Sequence, residues 1–304
     1  VNQVQNGLNM ALRLLIRSPF IVLGSMVMAF TVNVRCALVF AVTIPILFAV
    51  ILFIMSVSIP LFRKAQTGLD KVTGLTRENL TGVRVIRAFC REQQTTTDDI
   101  LIILGDSGFN FGGGERDRFL KTRASQFPIT IFSLHGNREN RPQNIPGYVE
   151  GSFHGGNILY EPQYPNLLFA VDGEVYRFAG TDCLVVGGAY STGKEYRLVK
   201  GLGWWPDEQP SDETKRQVEA LLARRGWQMP VVLTHTCPLR YKPLEALKPD
   251  LDQSTVDCTT ELWMDAIESR LRYDHWFCGH FHTDKQIDNL QILFQTFVPF
   301  PSEG

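Results

Sequence analysis

The longest apolar run lies near the start of the chain. From Cys36 to Phe62 the segment "CALVFAVTIPILFAVILFIMSVSIPLF" carries no charge over 27 residues. As a helix at 1.5 Å per residue it would reach about 40 Å, beyond the roughly 30 Å hydrocarbon core of a bilayer. Soluble helices seldom run so far without a polar face, so the pattern predicts a membrane span over about 37–61, with Pro45 tolerated as a kink. A shorter apolar run, "SPFIVLGSMVMAFTVNV" between Arg17 and Arg35, predicts a partner span over about 14–34. Arg13 and Arg17 flank one end of the pair and Arg63, Lys64 and Lys71 the other, while Arg35 alone stands at the tight connection. By the positive-inside bias both ends are cytoplasmic and the short loop is outside.

Downstream the pattern changes period. Four strand-sized apolar runs, "ILIILGD" (100–106), "ITIFSLHGN" (129–137), "VVLTH" (231–235) and "HWFCGHFH" (275–282), each end in residues able to bind metal. Runs of that length bounded by Gly or polar residues fit buried strands. Between them "SDETKRQVEALLARRGW", with Ser211 or Asp212 as its N-cap, and "TTELWMDAIESRLRY" carry helical patterns. Alternating strands and helices imply a layered α/β fold, in which ligands gather at the carboxyl ends of strands. Asp106, Asn137, His235, His280 and His282 fall at those ends.

Charge separates the two parts. Residues 1–94 hold 10 Lys+Arg against 3 Asp+Glu, and residues 95–304 hold 20 against 28, so a net charge of −1 conceals +7 and −8. Such asymmetry points to separate environments and directs the basic, apolar part to a membrane surface. No polybasic cluster or aromatic-basic stripe supports nucleic-acid binding, and no nucleic acid is expected as a partner. The six cysteines (Cys36, Cys90, Cys183, Cys237, Cys258, Cys278) are scattered, which fits reduced thiols better than a disulfide framework. The sequence begins with Val1 and shows no cleavable signal peptide, so it reads as an internal fragment.

One motif misleads. "GGAYSTGKE" (187–195) fits GxxxxGK from Gly188 to Lys194, but the next residue is Glu195. A phosphate-binding loop needs Ser or Thr there to hold magnesium, and a carboxylate would repel phosphate. A glycine-rich turn after the strand "CLVVGG" is expected instead, with no nucleotide site.

The segments "VNQVQNGLNMALRLLIRSPFIVLGSMVMAF", "VTIPILFAVILFIMSVSIPLF" and "ENLTGVRVIRAFCREQ" resemble the third and fourth transmembrane helices and the following cytoplasmic coupling region of an ABC exporter half, over about residues 1–94. That resemblance implies a multi-pass inner-membrane or plasma-membrane protein, with the lipid bilayer as a partner. An intact exporter subunit would have to supply the missing helices and the nucleotide-binding domains.

After a junction at 95–99, the motifs "LGDSGFNFGGGERD", "HGNREN", "THTCP" and "GHFH" resemble, in order, those of the calcineurin-like metallophosphoesterases over 100–304. The resemblance implies a sandwich of two sheets flanked by helices, a phosphomonoester or phosphodiester substrate, and two divalent ions (Mn, Fe or Zn). Carried over by position, Asp106 would bridge the ions, Asn137, His235 and His280 would complete one site, and His282 would belong to the other. Two cations side by side clamp phosphoryl oxygens and activate water for in-line attack.

Two departures follow. The family opens with an Asp-x-His motif after its first strand, and this chain has none. Asp98 and Asp99 precede the strand that ends at Asp106 and would stand more than roughly 20 Å from it at about 3.3 Å per residue. The phosphoesterase domain is therefore expected to lack its first strand and to keep one complete metal site. Arg138 occupies the position of the family's catalytic histidine. It is a poor proton donor that can still neutralise phosphate charge, and losing a general acid costs on the order of 100- to 10,000-fold. Three readings stay open: a membrane-anchored phosphoesterase with impaired activity and a cytoplasmic C-terminal domain; an exporter fragment with an appended non-catalytic domain; and a chimeric product with no joint function.

Overall fold

The computed structural model describes residues 20–22, 24–35, 37–39, 41–60, 62, 95–201, 203–246 and 253–301. The chain divides into two units, Val1–Thr76 and Arg77–Gly304. In the first, α1 (Phe20–Val32) is a short apolar helix and α2 (Ala37–Pro60) is long and apolar enough to cross a membrane. Large side chains along α2, Leu47 and Phe53 among them, are exposed. A helix boundary falls near the expected connection, with Asn33 outside helix between helical residues on either side. Helical bonds run from Asn33 N to Ala29 O (3.1 Å) and from Ala37 N to Asn33 O (3.0 Å), and the Asn33 side chain accepts the Arg35 N–H at 3.0 Å. Asn33 thus caps the helix that follows, its carbonyl accepting a first helical bond and its side chain the N–H two residues on. Residues 14–19 of the expected first span, the coupling stretch 78–92, Cys36 and Cys90 lie outside the described residues.

The second unit holds two mixed sheets. Strands β1 (Ile100–Ile103), β2 (Thr130–Ser133), β3 (Val149–Phe153), β4 (Gly156–Tyr160) and β5 (Leu167–Ala170) form one, in the order β1-β2-β5-β4-β3. Strands β6 (Val175–Phe178), β7 (Thr181–Val186), β8 (Val231–Thr234), β9 (His275–Cys278), β10 (Lys285–Ile287) and β11 (Leu290–Ile292) form the other, in the order β10-β11-β9-β8-β7-β6. The pairs β1–β2, β2–β5, β7–β8 and β8–β9 are parallel, and the hairpins β3–β4 and β6–β7 are antiparallel. Strand β1 stands at a sheet edge.

Side-chain alternation explains the layering. In β7, Cys183 and Val185 join Phe132, Leu168 and Leu233 in the core between the sheets. Leu184 and Val186 point the other way, into a core with Val218, Leu222, Met264 and Ile267 from helices α5 (Asp212–Arg224) and α6 (Thr259–Glu268). On the outer face of the first sheet, Leu101, Ile131 and Phe169 pack with Ala124 of α3 (Gly114–Ser125). The result is a sandwich of helix, sheet, sheet and helix, as the period-2 pattern requires when both sheet faces are covered. Ser211 caps α5, its hydroxyl accepting the Thr214 N–H at 3.1 Å, in agreement with the sequence.

Tyr176, fully buried between the sheets, donates to Asn157 O at 2.5 Å and accepts from Val171 N at 3.0 Å. Gly156 makes room, because a Cβ there would lie 2.7 Å from the Tyr176 ring. Tyr176→Phe leaves both backbone partners without the hydroxyl. It is expected to cost about 1–3 kcal/mol, read as a lowered urea midpoint of the purified full chain with an unchanged denaturant slope.

Candidate active site

The parallel strands deliver their carboxyl ends to one rim. Leaving β1, the chain passes through Leu104 and Gly105 to Asp106; leaving β2, it reaches Gly136 and Asn137. His235 directly follows β8, and His280 stands two residues beyond β9. Asp106, His280 and His282 all hold left-handed backbone, with φ of 53°, 66° and 53°. For non-glycine residues that conformation costs on the order of 1 kcal/mol or more each, and the sandwich bears it at three residues of one rim. Two glycines allow the close approach. A Cβ on Gly105 would lie 2.2 Å from His235 Nδ1, and one on Gly136 would lie 2.2 Å from both the backbone N and Oδ1 of Asp106.

Four of the five sequence-predicted residues meet. Asn137 Oδ1 lies 3.0 Å from His235 Nε2 and 3.2 Å from His280 Nδ1. Asp106 Oδ1 is 3.8 Å from His235 Nε2 and accepts the Arg138 N–H at 2.9 Å. His282 is exposed, its ring stacked on Phe294 at 4.8 Å. Asp99 stays at the start of β1, where its carbonyl accepts from Thr130 N. Among the described residues no three His, Cys, Asp or Glu side chains by themselves form a metal-holding group; the convergence at the rim depends on the amide oxygen of Asn137.

The hydrogen bonds behind the cluster fix its chemistry. His235 Nδ1 is 2.6 Å from the Leu104 carbonyl. A carbonyl only accepts, so that nitrogen carries a proton and Nε2 is turned to the cluster. Asn137 Nδ2 donates to Ser191 Oγ at 2.8 Å, and the Ser191 hydroxyl donates to the Asn137 carbonyl at 3.1 Å. That reciprocity turns the Asn137 amide oxygen toward the two histidines. An imidazole nitrogen, an amide oxygen and a carboxylate oxygen therefore face one another, an arrangement that a divalent cation among them would satisfy. The mixed oxygen and imidazole set, without thiolate, suits Mn, Fe or Zn.

Charge around the rim is tuned by burial. Burial holds His280 well below the usual imidazole range, with His235, His282 and Lys242 adding to the effect. Burial also lowers His135, helped by Arg141 and His235, and neither ring nitrogen of His135 has a hydrogen-bond partner. Glu139 is pushed up to about 8, first by burial and then by the Asp106 carboxylate.

Glu139 and Ser191 are structural residues that sequence reasoning left without a role. Glu139 accepts the Gly136 N–H at 2.6 Å and the Ser107 hydroxyl at 2.9 Å, which ties the loop after β2 to the loop after β1. Ser191 belongs to the glycine-rich stretch that mimics a phosphate loop. The structure gives that stretch its purpose: a Cβ on Gly187 would lie 2.6 Å from His135 O, and one on Gly188, at φ +87°, would lie 2.5 Å from Glu208 O. The glycines let the loop after β7 press against the rim and deliver Ser191 to Asn137. The GNxE spacing is the signal that could have assigned Glu139, since a carboxylate two residues beyond Asn137 can turn back to the Gly136 amide.

Comparison with known proteins gives two family matches. The ABC transporter transmembrane region matches residues 1–98, and the calcineurin-like phosphoesterase model matches residues 82–284, so both families claim 82–98. The uncharacterized ABC transporter ATP-binding protein YfiB of Bacillus subtilis (strain 168) is 38% identical over 136 residues, 44% of this chain and 20% of that protein. The putative ABC transporter ATP-binding protein MG014 of Mycoplasma genitalium is 36% identical over 78 residues, 26% of this chain and 12% of that protein. The chain thus spans a fifth or less of the length of these two relatives.

Proposed function

We propose that this chain, which belongs to the calcineurin-like phosphoesterase family, hydrolyses phosphomonoesters or phosphodiesters with a divalent metal ion at the cytoplasmic face of a membrane. The approach of His235 and His280 to Asn137 Oδ1, and of Asp106 Oδ1 to His235 Nε2, carries this reading. Those four residues would hold one ion, which when bound supplies Lewis acidity and activates water. His282 lacks the Asp-x-His partners that a second ion needs, so one ion is held and the activity is reduced. The chain's own residues do the positioning. The Leu104 carbonyl orients His235, Ser191 orients Asn137, and the Arg138 N–H orients Asp106, while the Arg138 guanidinium neutralises charge on the phosphoryl oxygens.

The exporter-like part, 1–94, leads through a junction at 95–99 to the phosphoesterase part, and α2 anchors the whole to the bilayer. The exporter match over 1–98 also favours a second reading, in which this part docks with an intact ABC exporter subunit. Co-purification of such a subunit with the tagged full chain supports it, and recovery of the chain alone from the same membranes argues against it.

The purified full chain should cleave p-nitrophenyl phosphate or its bis-diester only when manganese or zinc is added. Chelation with EDTA should lower the rate at least about ten-fold, with recovery on re-addition. A rate equal with and without metal, or binding of no metal, would falsify the assignment.

A further inference from the structure

Resting on that reading, we propose that Glu208 is a positioning residue for the metal site: it holds the backbone of Ser191, and through the Ser191 hydroxyl it sets the orientation of the Asn137 amide. Glu208 is 2% exposed, and a buried carboxyl group is tolerated only where donors replace the water it has lost. Both of its oxygens are occupied. Oε1 accepts the Ser191 N–H at 3.0 Å, and Oε2 accepts the Trp204 indole N–H at 2.9 Å. Burial raises the Glu208 carboxyl above its ordinary range, while Ser191, Trp204 and the Arg197 guanidinium from α4 (Lys194–Val199) oppose that rise.

The backbone around Glu208 is fastened as well. Its carbonyl accepts the Ala189 N–H at 3.1 Å. The carbonyls on either side, of Asp207 and Gln209, accept from Arg141 Nε at 2.7 Å and from Arg141 Nη2 at 3.4 Å. Arg141 lies four residues beyond Asn137 on the same loop. The loop after β2 and the loop after β7 are therefore both tied to residues 207–209.

An asparagine amide offers an acceptor on one side and donors on the other. Turned over, Asn137 would direct its NH2 at His235 Nε2 and His280 Nδ1, and a cation among them would meet a donor in place of a ligand. Ser191 opposes that turn, because its Oγ accepts from Asn137 Nδ2 at 2.8 Å while its hydroxyl donates to the Asn137 carbonyl at 3.1 Å. The hydroxyl serves only while it stays in place. Gly188, at φ +87°, gives the loop after β7 conformational freedom three residues ahead of Ser191, and the Glu208 bond to the Ser191 N–H restrains it. Partners that orient a metal ligand typically matter 10- to 100-fold in affinity.

Calorimetric titration of the detergent-purified full chain with manganese reads this without turnover. Glu208→Gln keeps the side chain's size but turns an NH2 toward one of the two donors, and should weaken manganese about ten-fold. Ser191→Ala should weaken it at least as much. In the double variant the losses should not add, so that Glu208→Gln changes affinity less than about two-fold once the Ser191 hydroxyl is gone. Glu208→Asp, which shortens the reach by one methylene, replaces Glu208→Gln with the same expected loss if that variant does not fold. A carboxyl that only supports the fold would lower the unfolding midpoint and leave manganese affinity unchanged, or would weaken it equally in the Ser191→Ala background, and either result overturns the proposal. A second arm, in EDTA, needs no metal. His280 Nδ1 lies 3.2 Å from the Asn137 amide oxygen, so the His280 ring-nitrogen NMR shifts should move in the same direction in Glu208→Gln and in Ser191→Ala. Unmoved shifts overturn the proposal even where manganese binds. Shifts that move in a chain that binds no manganese uphold the link from Glu208 to Asn137 and refute the metal reading.

Discussion

Gly136→Ala should lower phosphoester hydrolysis by about a hundred-fold or more while leaving the fold intact. The added Cβ would stand 2.2 Å from the backbone N and Oδ1 of Asp106 and 2.9 Å from its Cα. Two of those three atoms are backbone, so no side-chain rotation relieves the clash, and the loop after β1 must separate from the loop after β2. Displacing a reacting group by about 1 Å can cost roughly 100-fold. Gly136 does not sit in the left-handed region, so its substitution tests close approach alone.

Gly147→Ala separates the two possible causes. That glycine has φ of +99°, and a methyl group added there would meet no atom within 4 Å, so it reports backbone strain without crowding. It is expected to leave the rate within about three-fold, since strain at one turn costs only on the order of 1 kcal/mol. If Gly136→Ala retains more than about a third of the activity, Asp106 is not placed by this contact.

The same crowding explains which parts of the fold could be read from sequence. Strands β1, β2, β8 and β9 are largely apolar runs ending in Gly or polar residues, so their type and their rim are written locally. Strands β3, β6 and β10 are not. Val149–Phe153 contains a glycine and is half-buried only at Gly151 and Phe153, and Lys285–Ile287 is three residues of mixed character. Such edge strands are set by their neighbours more than by their own pattern. The roles of Ser191 and of the Leu104 carbonyl were illegible for a related reason, since each depends on a partner on a distant loop. At the other end of the chain, hydropathy located α2 and set a connection at Arg35, two residues from the helix boundary at Asn33. Hydropathy does not register the cap that Asn33 supplies to the helix after it.

His235→Ala should abolish manganese-dependent cleavage, by roughly a thousand-fold or more. Losing a group that only orients a ligand typically costs 10- to 100-fold in metal affinity or activity, and a direct ligand should exceed that. The ring is 1% exposed and joins the two sheets across the rim, with Nδ1 on Leu104 O and Nε2 on Asn137 Oδ1. Removing it also leaves the Leu104 carbonyl without its imidazole donor, a cost of about 1–3 kcal/mol where no water reaches it. Lost activity alone would therefore not separate a lost ligand from a loosened fold. Manganese should raise the unfolding midpoint of the natural chain, with the logarithm of its concentration once above the dissociation constant, and in His235→Ala that rise should vanish even at a temperature where the variant is still folded. His282→Ala, on the exposed side of the rim, should keep most of the rise, because the ion it would serve lacks its other ligands. If His235→Ala keeps the manganese-induced rise and more than about a tenth of the activity, the ion sits elsewhere, and the Asn137 cluster is a hydrogen-bonded brace between the sheets.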